Sequence, residues 1–338
     1  MTRTLTLQDA IREALQEEMR RDPRVIVMGG DVRTSFSGLT AGLVYEFGKK
    51  RLVDLPTAEG AMAGMASGAA MVGLRPIVDL GNLGFSLTGM DQLTNEGPKI
   101  HYKFNGQISV PVVYLCIYGS RGWGAHHDQA IYAILGHLPG MKIVLPSTPG
   151  DAKGLVKSAI RDDNPVAVCV AQDLMATSGT VPDEEELQDI GAAGVVRSGS
   201  DLSVFATGAM VTRALKAAEY MQSRGVSVEV VDVRSLVPLD WETLTLSARK
   251  TGRVIVYDQG HFTCGFAPTI AAGVQERVFD ALKGPVVSVA ALDVPTPYSL
   301  ILADEVVPTA AKLIFAIEQS LGTRVNGAFD QWHQHLSR

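Results

Sequence analysis

The sequence predicts an α/β fold of two domains, each a mostly parallel sheet flanked by helices. Three features carry that prediction. Short apolar runs alternate with helix-period segments, the order expected when parallel strands are joined by crossover helices. Residues 110–118 form a near-continuous apolar run closed by Gly119, which suits a strand buried on both faces. The alternation breaks once, between residues 171 and 200, around the acidic Pro182-Asp183-Glu184-Glu185-Glu186, and then resumes. The expected organisation is a first domain over 1–180, a linker over 181–200, a second domain over 201–325 and a polar tail over 326–338.

Taken in order, residues 7–20 read as a helix. Ala10, Ile11, Ala14 and Leu15 lie on one side, Arg12, Glu17 and Glu18 largely on the other, and Thr6 is its N-cap. Residues 24–28 read as a short buried strand ending at Gly29-Gly30-Asp31, and 31–40 as a loop. A helix over 43–47 and a strand-like run over 51–55 lead to a small-residue helix that opens at Glu59. Residues 75–79 are a second strand, and 81–85 a loop running into a helix with Met90, Leu93 and Ile100. Strands at 142–145 and 165–170 enclose a helix over 152–160. The second domain alternates strand 203–207, helix 211–224 closed by Gly225, strand 226–233, helix 241–249, strand 253–258, helix 268–281, strand 286–292 and helix 308–317.

The chain has 338 residues, enough for two domains, and is 46% hydrophobic with 20% charged residues, an ordinary globular balance. A net charge of −6 without a basic cluster speaks against nucleic acid as a ligand. No apolar run reaches spanning length, and the first thirty residues lack a signal-peptide pattern, so no membrane role is expected. Cys116, Cys169 and Cys264 read as reduced core thiols of a cytoplasmic protein. His333 and His335 stand two apart, a spacing that does not share a helix face, and no metal site is read there.

Two stretches could carry chemistry. Glu59 is the one acid in an apolar, glycine-rich segment. The helix N-terminus favours its charged form, and the apolar surroundings favour the protonated one. It reads either as a helix-start carboxylate or as a catalytic acid in a dry pocket. Gly60, Gly64 and Gly68 share one helix face, open to close packing within the domain or at a subunit interface. The second stretch, Gly119-Ser120-Arg121-Gly122-Trp123-Gly124-Ala125-His126-His127-Asp128-Gln129, follows the buried strand. Loops at the carboxyl ends of strands build the sites of open α/β sheets, and a histidine there suits proton transfer. It reads equally as a loop with incidental histidines. There is no G-x-G-x-x-G fingerprint, Walker lysine loop, G-x-S-x-G nucleophile, metal-spaced cysteine pair or Mg–diphosphate signature.

Several ordered runs carry a resemblance. They include Ala58-Glu59-Gly60 with Gly64-Met65-Ala66-Ser67-Gly68, Gly73-Leu74-Arg75-Pro76-Ile77, Met90-Asp91-Gln92-Leu93-Thr94-Asn95-Glu96, Ala159-Ile160-Arg161-Asp162-Asp163-Asn164-Pro165 and Asp232-Val233-Arg234-Ser235-Leu236-Val237-Pro238. On these the chain resembles, over nearly its whole length, the β subunit of the thiamine-diphosphate-dependent component of 2-oxoacid dehydrogenase complexes, with the pyruvate and acetoin dehydrogenase β subunits nearest. The resemblance implies a transketolase-like pyrimidine-binding domain followed by a transketolase C-terminal-like domain. It implies an α₂β₂ heterotetramer whose α subunit holds the diphosphate and Mg²⁺. It also implies a lipoyl-bearing acyltransferase as the acceptor of the acyl unit.

Under that resemblance Glu59 bonds the aminopyrimidine N1′ and favours the imino tautomer that takes the proton from the cofactor's reactive carbon. Phe85 packs on the pyrimidine ring, with Gly81 beside it where relatives often carry Gln. His127 shuttles protons or binds substrate or acyl acceptor. Val112, Ala159, Ile160, Asp162 and Asn164 match positions that hold K⁺ in some relatives. Three departures stand out: Asp128 where H-S-Q has Ser, Gly81, and Leu115-Cys116-Ile117 where a cation is usual. An acid beside His127 would favour its protonated form, or orient or repel a substrate carboxylate. The expected substrate is therefore a 2-oxoacid or, given the departures, a larger or uncharged molecule such as an acetoin-like hydroxyketone. The alternatives are the C-terminal half of a split transketolase-like enzyme and a non-catalytic scaffold subunit.

Overall fold

The computed structural model describes residues 2–119 and 122–322. In chain order its strands are β1 (Thr2–Thr6), β2 (Val25–Gly29), β3 (Leu52–Asp54), β4 (Arg75–Asn82), β5 (Val113–Tyr118), β6 (Lys142–Val144), β7 (Val166–Ala171), β8 (Ser178–Pro182), β9 (Gly194–Arg197), β10 (Leu202–Ala206), β11 (Val228–Asp232), β12 (Ser235–Val237), β13 (Val254–His261) and β14 (Val287–Ala291). The helices are α1 (Leu7–Arg21), α2 (Leu43–Phe47), α3 (Glu59–Met71), α4 (Ile100–Lys103), α5 (Tyr132–Gly136), α6 (Pro149–Arg161), α7 (Ala209–Gln222), α8 (Trp241–Thr251), α9 (Phe266–Val278), α10 (Leu300–Val306) and α11 (Ala310–Ser320). They fall into two compact units. The first comprises residues 2–119, 134–191 and 235–238, the second residues 122–133, 192–234 and 239–322.

The first unit is built on a seven-stranded sheet of order β12-β6-β7-β5-β4-β2-β3, parallel except for β12 at its edge. Its central strands are apolar without alternation because both faces are covered. Every residue of β7 is buried. Cys116 and Cys169 are paired opposite each other on β5 and β7, both buried and unbonded. Burial pushes the Cys169 thiol up to about 12, so neither is a reactive thiol. Cys264 differs from the expectation: it is exposed and no core thiol.

Helix α1 starts where its cap predicts, the Thr6 hydroxyl accepting from Asp9 N at 3.1 Å. It packs on α6, which Thr148 caps in the same way, with Pro149 in its first turn. Their contact is ionic as well as apolar. Lys153 reaches Glu17 at 2.8 Å, Lys157 reaches Glu17 at 2.7 Å, and Arg161 reaches Glu18 at 2.6 Å, with Glu18 fully buried. Glu185, from the supposedly solvated acidic stretch, joins this cluster through Lys157 at 2.8 Å.

Residues 2–6 form strand β1 rather than a plain lead into the helix. They pair antiparallel with β8, inside the segment where the composition shifts. Both are short and polar on one side, so they do not stand out from loop. Strand β4 runs three residues further than the expected 75–79 and includes Gly81. The segment after it is a 3₁₀ helix (Leu83–Gly89), a π-helical turn (Gln92–Glu96) and α4, not one continuous helix. The cause lies in packing. A Cβ on Gly89 would stand 3.0 Å from the Glu59 carbonyl, so this segment is drawn onto the start of α3. Gly60 and Gly64 meet it, near Thr88 O and Gln92 Cγ, whereas Gly68 faces open space. Two of the three small residues therefore serve packing within the unit.

The second unit carries a five-stranded sheet of order β14-β13-β10-β11-β9, parallel except for β9, which comes from the expected linker. Helices α8 and α9 approach closely at Gly273, where any side chain would enter the Trp241 ring. The Arg277 guanidinium stands over that ring, 3.9 Å from its centroid. Helix α10 was not expected from the sequence. The expected tail over 326–338, with His333 and His335, lies outside the described residues.

Two outcomes follow for the α1–α6 contact. Glu18→Ala leaves Arg161 and Lys157 short of a buried partner and should cost about 3 kcal/mol in chemical denaturation. Arg161 and Lys157 hold Glu185 down to about 2. Burial alone would raise Glu17, but Lys153 and Lys157 outweigh it, so its carboxyl lies below the usual range. Both contributions are complete above the unfolded value near 4.5 and are lost as pH falls through the lowered folded values. The unfolding temperature should drop between about pH 4.5 and 2, less steeply in Glu185→Gln.

Candidate active site

Strand β2 has β3 on one side and β4 on the other, and the chain leaves β4 toward β5. The loops after β2 and β4 thus diverge, which opens a crevice outside their carboxyl ends. At that point Gly29 is paired with Asp79, and a Cβ on Gly29 would stand 2.5 Å from Asp79 O. The buried Asp79 carboxyl ties the two loops. Oδ2 accepts from Ser37 Oγ at 2.7 Å and Oδ1 from Gly81 N at 3.0 Å. Burial pushes Asp79 up from the ordinary carboxylate range. Gly81 has φ +64° and nothing within 4 Å of where its Cβ would stand. That position is open space.

Glu59 is the first residue of α3 and is buried. Its N-cap, Ala58, offers no side-chain cap, so the helix's first N–H groups and the carboxylate of Glu59 face the same end. Thr88 Oγ1 lies 2.7 Å from Glu59 Oε2 and 2.9 Å from Phe85 O. Phe85, Thr88 and Gly89 share the 3₁₀ helix. The structure therefore brings Glu59, Phe85 and Gly81 to one end of the first unit, on the strand ends and the turn they border.

His127 belongs to the second unit, on a loop over 122–131; Ser120 and Arg121 lie outside the described residues. His126 is exposed and His127 half-buried. Asp128 is buried, and its Oδ2 accepts from Trp123 N and Gly124 N, each at 3.0 Å. This carboxylate closes the loop on which His127 stands. The Trp123 ring meets His127 edge-on, centroids 5.7 Å apart. Farther along, Tyr132 OH donates to Asp258 Oδ1 at 2.5 Å, and Thr207 donates to the same oxygen. Asp258 is fully buried within β13, and burial pushes it up.

The residues of the expected cation site lie beside Arg75. Arg75 Nε donates to Ile160 O at 2.8 Å, and its Nη2 to Arg161 O at 2.7 Å and Asp162 O at 2.8 Å. Ala159 O accepts from Asp162 N and Val112 O from Val166 N, while the Asp162 carboxylate takes Lys142 and Asn164. Leu115 and Cys116 are buried in β5, while Ile117, next to its last residue, is half-buried. Among the described residues, no group of three or more His, Cys, Asp or Glu side chains is placed to hold a metal ion. No helix among them is long and apolar enough to cross a membrane.

Sequence reasoning missed Thr88, the Ser37–Asp79 pair, Trp123 and the Tyr132–Asp258 bond. An acid following the apolar Ile77-Val78 run was a usable signal for Asp79, since a buried strand end rarely spends a carboxylate without a partner. Thr88 had no signal, because its partner stands 29 positions away.

Residues 3–177 match the transketolase pyrimidine-binding domain, and residues 191–313 match the transketolase C-terminal domain. The chain is 37% identical to the acetoin:2,6-dichlorophenolindophenol oxidoreductase subunit beta of Bacillus subtilis, covering 95% of this chain and 98% of that one. It is 38% identical to the pyruvate dehydrogenase E1 component subunit beta of Rickettsia bellii, covering 93% and 98%. A split-gene transketolase structure, described as an inactive beta4 tetramer, shares the fold at TM-score 0.75 and 24% identity, covering 94% of this chain and 98% of that one. With both transketolase-like domains in order and such identity along nearly all its length, the chain belongs to the family of E1-type β subunits that includes those of pyruvate and acetoin dehydrogenases.

Proposed function

We propose that this chain is the β subunit of an α₂β₂ thiamine-diphosphate enzyme. Its reaction cleaves the C–C bond beside a carbonyl and passes the acyl unit to a lipoyl-bearing acyltransferase. The observation that carries the reading is the buried Glu59 carboxyl at the start of α3, with open space at Gly81 in the same unit. That room and a lone acid fit the pyrimidine end of the cofactor. When bound, thiamine diphosphate supplies the electron sink that makes cleavage beside a carbonyl feasible. Glu59 would bond the ring nitrogen and hold a proton there, and Phe85 would orient the ring. His127, held by the Asp128-closed loop, would move protons to and from the substrate oxygen. The diphosphate and Mg²⁺ would be held mainly by the α subunit.

Trp123 beside His127 and the negative charge of Asp128 support an uncharged hydroxyketone such as acetoin over a 2-oxoacid. The β subunits at 37–38% identity support a lipoyl acceptor over ketol transfer by a split transketolase-like enzyme. Cys116 and Cys169 are buried free thiols, which accords with a cytoplasmic protein. At the potassium position oxygen chemistry fits, but Arg75 already supplies the positive charge, and we assign that corner to Arg75.

Three outcomes test this. With the α subunit present, Glu59→Gln should lower kcat about 10²- to 10⁴-fold with assembly and unfolding temperature kept; full activity would refute the assignment. Steady-state assays of pyruvate and acetoin side by side should give acetoin the higher kcat/KM, and a clean pyruvate preference overturns the substrate reading. Thermal unfolding in KCl and in NaCl at equal ionic strength should coincide. A potassium-specific rise would show that the ion binds alongside Arg75.

A further inference from the structure

The hydroxyl of Thr88 has two acceptors in reach and one proton to give. Glu59 Oε2, at 2.7 Å, is the nearer of the two, and Phe85 O stands at 2.9 Å. Gly89, the next residue, packs on the Glu59 backbone, where an added Cβ would stand 3.0 Å from the carbonyl. Among the described residues, no other hydrogen bond reaches the Glu59 carboxyl group. Thr88 is itself exposed, so its hydroxyl is not there to fill the core.

We propose that Thr88 is the positioning residue of Glu59. It holds Oε2, leaves Oε1 for the nitrogen of the bound pyrimidine, and ties the proton on the acid to the turn that carries Phe85. This rests on the reading of Glu59 as the acid that bonds the cofactor. In that setting the carboxyl group alternates between donor and acceptor. Thr88 is the group that follows the change by reversing its own role, accepting from the neutral acid and donating to the ionised one. No other atom is consumed or released.

The test compares Thr88→Val, Thr88→Ser and Glu59→Gln in the complex with the α subunit. The readouts are calorimetric titration with thiamine diphosphate and Mg²⁺, kcat, the substrate KM, and the unfolding temperature. Thr88→Val should weaken cofactor binding and lower kcat by about 10-fold or more, with substrate KM and unfolding temperature unchanged. Thr88→Ser, which keeps the hydroxyl, should restore both. Thr88→Ala provides a second hydroxyl-free variant if the valine form assembles poorly. Wild-type cofactor affinity and kcat in Thr88→Val, or a serine form as impaired as the valine form, would overturn the proposal. A Glu59→Gln complex with normal affinity and kcat would remove the reading beneath it. An impaired Glu59→Gln beside a normal Thr88→Val would sink the role of Thr88 alone.

Discussion

The end of the first unit that carries Glu59 depends on one close backbone approach, that of Gly89 to Glu59. An added Cβ would stand 3.0 Å from the Glu59 carbonyl, tighter than nearly all real Cβ contacts. The contact draws the chain after β4 into a tight 3₁₀ turn instead of an α-helix. It brings the Thr88 hydroxyl onto the Glu59 carboxyl and places Phe85 three residues from that bond. The glycines of α3 extend the same seam, since Gly60 and Gly64 let Thr88 and Gln92 come close. The acid is thus held by a contact between main chains, which is stiffer than any pairing of flexible side chains.

The second unit solves a comparable problem with a carboxylate in place of a glycine. Asp128 Oδ2 takes two backbone N–H groups of its own loop. The departure from serine therefore has a local structural use, independent of any effect on substrate charge. Tyr132 extends the anchoring from the loop to the buried Asp258.

Much of this was legible in the residues. The strand–helix alternation, the Thr6 cap, the buried run on β5 and the prominence of Glu59 each follow from periodicity or local chemistry. What was not legible is non-local. Strand β1 pairs with β8 across some 170 residues, and neither is apolar enough to announce itself. The turn after β4 looks helical in Met90, Leu93 and Ile100, but the close contact at Gly89 overrides that period. Glu185 reads as a solvated charge until α6 brings Lys157 and Arg161 to it. Cys264 sits among small and aromatic residues that suggest a core, yet its backbone adopts φ +57° in an exposed turn.

The short strand β12 has a consequence for how this polypeptide can be divided. It pairs with β6 in the first unit's sheet, although the residues before and after it, 192–234 and 239–322, belong to the second. Residues 122–133 are likewise claimed by the second unit from within the first. The two halves are therefore interleaved along the chain, and no single cut separates them cleanly. A truncation near residue 190 would strip an edge strand from one product and leave the other without the loop that carries His127.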